Sequence, residues 1–178
     1  MGVLTDFFAA TPQELADLAI DWGPVPPEPQ PPKAKGGLFG FGKKPAPVPD
    51  GPLEPYGPTL PAVQSKGILN TQVGMLDQFV TGTPYETLAE TGVINALVRD
   101  AGENGPWVFT VRRELRDGLA SLDPGRVGGI ARQWGEDEEI GATEPEEFEA
   151  LEALVGDLSE LARNATESGR DLYLWASL

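Results

Sequence analysis

Apolar positions along this chain alternate between a helical spacing of three to four residues and short continuous runs, and the breaks between them predict the elements. Thr11-Pro12-Gln13-Glu14 reads as a capping box, the Thr hydroxyl and the Glu carboxylate each satisfying an orphan backbone N–H. Leu15, Leu18, Ala19 and Trp22 then share one face of a helix that Gly23 ends. Leu69, Val73, Leu76 and Val80 predict a second helix, interrupted by Gly74, and Thr83-Pro84-Tyr85-Glu86 a second box opening a short third one. The texture changes at Val93. The β-rich runs Val93 to Val98 and Trp107 to Val111 flank the turn-forming residues 100–106 and predict a hairpin. Leu115, Leu119 and Leu122 mark a further helix, and Asp123-Pro124 caps the next, which turns Val127, Ile130, Ala131 and Trp134 inward. Thr143-Glu144-Pro145-Glu146 is a third box. It opens the longest element, whose apolar stripe from Phe148 to Ala165 runs until Ser168-Gly169. A final strand, Leu172 to Leu178, is expected to pair with the central hairpin.

The expected fold class is therefore α+β, with a small antiparallel sheet covered by about five helices. One domain is expected over residues 1–178, carrying a proline- and glycine-rich excursion over 24–61 that holds 13 of the 18 prolines. Prolines block both helix propagation and sheet ladders, so this stretch reads as extended or polyproline-like. Inside it, residues 33–44 (KAKGGLFGFGKK) gather four of the five lysines with Phe39 and Phe41. Gly and Lys are what a solvated linker needs. The same island also suits docking, with Phe39 and Phe41 filling pockets on a partner or on this chain's own acidic part while Lys43 and Lys44 steer.

Charge changes the picture most. With 13 Lys plus Arg against 28 Asp plus Glu the net charge is −15, and there is no His and no Cys. Disulfides, thiol nucleophiles, imidazole bases and Cys/His zinc sites are thereby excluded. A negative chain also repels nucleic acid backbones and anionic membranes, so neither is an expected partner. No stretch approaches the 18 or so apolar residues of a membrane span. Asp6, with no Lys or Arg before the first apolar positions, is unlike a signal peptide, so a cytoplasmic location is expected.

From Glu136 to Ala162 there are eleven acids and no base. Several sit where a helix macrodipole favours anions, and a solvated helix face accounts for such a run. The functional reading is a surface for a basic partner, centred on Glu136, Asp137, Glu138, Glu139, Glu144, Glu146 and Glu147. Glu136-Asp137-Glu138-Glu139 lacks the spacing of a calcium loop, and no metal ligand or cofactor is assigned. No pair of carboxylates stands out as a catalytic acid and base. Arg112, Arg113 and Arg116 are expected to pair with the acidic helix.

The residues VRRELRDGLASL at 111–122, Gly129 to Trp134, Phe148 to Leu151 and Asp171 to Trp175, together with the opening MGVLTDFF, resemble uncharacterised small acidic bacterial proteins, mainly actinobacterial. In layout the chain is similar to the YfbM-like family of unknown function. That resemblance implies an α+β fold and carries over no catalytic residue. The resulting expectation is a non-enzymatic acidic interaction protein of adaptor, immunity or inhibitor type. Two alternatives stand beside it: a carboxylate-based or metal-assisted enzyme, and docking through the Phe39/Phe41 island.

Overall fold

The computed structural model describes residues 4–17, 60–91, 96–100 and 107–177. The expected end of the first helix at Gly23, the excursion as far as Thr59 with Phe39, Phe41, Lys43 and Lys44, the start of the hairpin at Val93 and its turn lie outside them.

Among the described residues, five antiparallel strands make one sheet in the order β2-β1-β5-β4-β3. They are β1 (Leu4–Ala10), β2 (Ala62–Lys66), β3 (Leu97–Asp100), β4 (Trp107–Thr110) and β5 (Asp171–Ser177). The last strand does pair with the hairpin, through Trp107↔Ala176 and Phe109↔Leu174, but its other edge is taken by β1 in register Leu4↔Ser177 to Ala10↔Asp171. It thus becomes the middle of the sheet. Six helices among the described residues accompany it: α1 (Pro12–Asp17), α2 (Asn70–Thr81), α3 (Tyr85–Glu90), α4 (Arg113–Ala120), α5 (Pro124–Gly135) and α6 (Pro145–Glu167). The α+β class stands as expected, and each of the six helices falls where the pattern predicts one.

Side chains alternate across a strand, so β1 and β5 each serve two layers. Phe7, Ala9, Leu172 and Leu174 join Val73, Leu76, Leu115, Leu119, Trp134 and the α6 stripe of Leu151, Val155, Leu158 and Leu161 in the main core. Phe8, Ala10, Val108, Tyr173 and Trp175 form a second cluster on the opposite face, with Leu15 and Leu60 against it. The Phe8 and Tyr173 rings stack there at 5.5 Å. Because both faces are buried, LTDFFAA shows no clean alternation, and periodicity alone does not announce it as a strand.

Two glycines set how closely the helices approach. A Cβ on Gly135 would lie 2.7 Å from the Phe148 ring, and one on Gly118 2.7 Å from Val80 Cγ1. These positions let α5 meet α6 and α4 meet α2 at short range. Trp134, fully buried, then donates its indole N–H to the Gln72 carbonyl at 2.9 Å and ties α5 to α2.

The caps follow the expectation unevenly. At α1 the box forms as read: Thr11 N–H donates to Glu14 at 2.8 Å and Glu14 N–H to the Thr11 hydroxyl at 3.1 Å. At α6 it is displaced by one residue, Glu147 accepting from the N–H groups of Thr143 (2.7 Å) and Glu144 (3.1 Å). At α3 no box forms, because Gln78 of the preceding helix reaches over and accepts from the Tyr85 N–H at 2.7 Å. A tertiary neighbour there supplies what a local Thr hydroxyl was expected to supply.

Candidate functional site

The acidic stretch begins where α5 ends. Glu136 closes that helix, and the chain then turns tightly: Gly141 adopts a left-handed φ of 64° and donates to the Asp137 carbonyl at 2.7 Å, while Ala142 donates to the Gly135 carbonyl at 2.9 Å. Asp137, half-buried, accepts at its carboxylate from the Glu139 N–H at 3.0 Å. Gln72 of α2 locks the turn from beneath, its amide donating to the Glu139 carbonyl at 3.3 Å. The connection between α5 and α6 is thus a held platform whose acids project from fixed backbone.

Beside this platform, between the end of β2 and the first turns of α6, lies a groove of about 460 Å³. Ile68, Ile140, Leu151 and Leu154 give it an apolar floor, while Glu139 and Glu147 stand on one rim and Ser65, Lys66 and Gly67 on the other. Glu139 and Glu147 are exposed, and neither makes an ion pair among the described residues. The backbone bonds from Thr143 and Glu144 hold the Glu147 carboxyl below the usual carboxylate range, so it stays charged. Arrangements of this kind accept an apolar side chain that carries or adjoins a cation.

The other candidate acids are placed differently. Glu138, Glu144 and Glu146 are exposed around the platform without lining the groove. Glu136 lies 4.0 Å from Arg132, an exposed pair of small energetic consequence. Glu149 and Glu152 sit across α6 in a second cavity of about 380 Å³, where Arg132 also stacks 5.9 Å from the Phe148 ring centroid. Glu139 and Glu147 thus line one cavity, and Glu149 and Glu152 line another across α6. Among the described residues no group of three or more carboxylates gathers as a metal cage.

The expected pairing of the arginine cluster with the acidic helix is not found. Arg112 turns instead to Asp77 of α2 at 2.8 Å, and Arg113 and Arg116 reach Asp171 at the start of β5, at 3.2 and 2.7 Å. The acidic face of α6 is left without those cations because Arg112 is directed to α2 and Arg113 and Arg116 to the start of β5. Sequence reading also missed two buried carboxylates. Asp77 is 3 % exposed, and burial raises its pKa against the opposing pull of Thr81 and Arg112. Asp6 is 6 % exposed and pushed up to about 6 by burial. A signal existed for Asp77: it falls four residues after Val73 and one after Leu76, on the apolar side of its helix.

What fold and groove define together is an α+β protein with a preformed, acid-rimmed apolar cleft and no helix, among the described residues, long and apolar enough to cross a membrane. Comparison with family models, curated proteins and solved structures returned no match.

Proposed function

We propose that this chain is a non-enzymatic acidic interaction protein of adaptor, immunity or inhibitor type, acting in the cytoplasm, which binds a basic partner through the groove rimmed by Glu139 and Glu147. The observation that carries the reading is the groove itself, with an apolar floor for burial and charged, rigidly seated rim groups for steering. Glu136, Glu138, Glu144 and Glu146 surround it and extend the field without having to touch the partner. Kinship in layout with the YfbM-like family belongs to the same proposal, supported by the N-terminal strand, the Thr-Pro-capped helix and the terminal strand.

A carboxylate-based enzyme draws less support. It calls for converging acids kept protonated in a cavity, whereas Glu147 is held charged, and the two acids that burial raises, Asp6 and Asp77, line neither the groove nor the cavity across α6.

The test is calorimetric titration with a short Lys- and Phe-containing peptide. Affinity is expected to fall with rising salt and to drop about tenfold in an E139K/E147Q variant, in which the uncharged amide oxygen at position 147 still accepts the capping N–H groups. A peptide that binds wild type and variant alike, or neither at low salt, would end this reading.

A further inference from the structure

The groove has an occupant of matching chemistry within the same chain. We propose that the basic-aromatic island at 33–44 docks in cis into the groove floored by Ile68, Leu151 and Leu154, so that the chain carries its own competitor for the partner site. The inference rests on the proposed partner-binding role of that groove and specifies how it is regulated.

Three observations converge. The first is complementarity: the island concentrates four of the five lysines around Phe39 and Phe41, whereas residues 136–162 hold eleven acids and no base. Phe39 or Phe41 matches the apolar floor, and Lys43-Lys44 matches the rim of Glu139 and Glu147. The second is reach. The island is tethered by about 15 residues on each side, to Asp17 at the end of α1 and to Leu60 before β2, and such a tether extends to roughly 50 Å. The groove lies at the far end of the five-residue β2, about 20 Å from where the tether enters it. The third concerns competing cations: Arg112, Arg113 and Arg116 are engaged by Asp77 and Asp171 elsewhere, and Lys66, which lines the groove, makes no ion pair with Glu139 or Glu147. Tethering raises the local concentration of the island at the groove, so a segment of modest intrinsic affinity competes there and yields to a stronger basic partner.

The experiment uses the full chain and, as probe, a synthetic blocked peptide of residues 33–44. Cis docking predicts that F39S/F41S, which alters no charge, binds the probe about tenfold more tightly than wild type, because the internal competitor is gone. The gain should vanish when E139K/E147Q is added; a gain that persists would place the island elsewhere and overturn the assignment. Equal binding to wild type and F39S/F41S also overturns it while leaving the groove reading intact. Binding to neither at low salt removes both. A difference seen only at concentrations where sedimentation shows dimers would assign the island to a second copy and defeat the intramolecular form.

Discussion

Asp77 and Arg112 face each other across the junction of α2 and α4, Oδ2 to Nε at 2.8 Å, with Asp77 almost wholly buried. Thr81, one turn along α2, donates to the other carboxylate oxygen at 3.0 Å. Removing one partner of such a pair strands the other charge in a poorly solvated place. Asp77→Ala is therefore expected to cost about 3 kcal/mol, whereas replacing both, as Asp77→Leu with Arg112→Met, should recover most of that loss. Urea unfolding of the two variants checks it, and a double variant as unstable as the single one would contradict the argument.

Asp6 gives stability an unusual pH slope. Its folded pKa, about 6, lies above its ordinary 3.8, so the folded chain holds a proton that the unfolded chain releases. Its contribution is fully present below about pH 4 and is lost as pH rises through 6. Asp6→Asn should abolish that slope and raise stability at pH 7 by about 2 kcal/mol. Denaturation midpoints between pH 4 and 7 decide it; parallel curves for the two proteins would refute the assignment. Glu14 acts in the opposite direction, since Arg170 at 2.8 Å holds its carboxyl well below the usual range and the benefit is lost only in acid.

Gln72 anchors the acidic platform by donating to the Glu139 carbonyl, accepting from the Leu69 N–H at 2.9 Å, and offering its own carbonyl to Trp134. Gln72→Ala removes the first two and spares the third. Amide exchange at 137–142 should accelerate severalfold or more, while global stability falls by only about 1 kcal/mol. Unchanged exchange in that stretch would show that the backbone bonds alone hold it.

At Gly135 an added methyl meets the Phe148 ring at 2.7 and 2.9 Å and Leu151 at 3.0 Å. Phe148 must swing away and leave Arg132, and Gly135→Ala is expected to cost about 2 kcal/mol. Pairing it with Phe148→Leu should return part of the loss in a thermal melt.

The helices are legible because their apolar stripes and stop signals are local: the stripe from Phe148 to Ala165 and the stop at Ser168-Gly169 describe α6 almost to the residue. Strands are harder. β1 is buried on both faces and so loses the alternation that marks a strand, while β2 is a short polar stretch, AVQSK, whose identity comes from the neighbour it pairs with. The groove is half legible. Glu139 and Glu147 belong to the acidic run, but its floor unites Ile68 with Leu151 and Leu154, distant residues that meet only once β2 lies beside α6. Likewise the arginines are recognisable as a cluster, though their partners depend on which way α4 is turned.

Pairing β1 with β5 has a consequence for how the molecule comes into being. The strand at the centre of the sheet is the last of the five to be synthesised, and Thr5 must wait for Ala176 before β1 gains its second neighbour. Until then Phe7 and Phe8 lack Leu174 and Tyr173, their partners across the sheet. Such long-range closure makes folding slow relative to a helical protein of equal size. It also defers the decisive step until every other strand has been made, a window in which unpaired edges invite association with other chains.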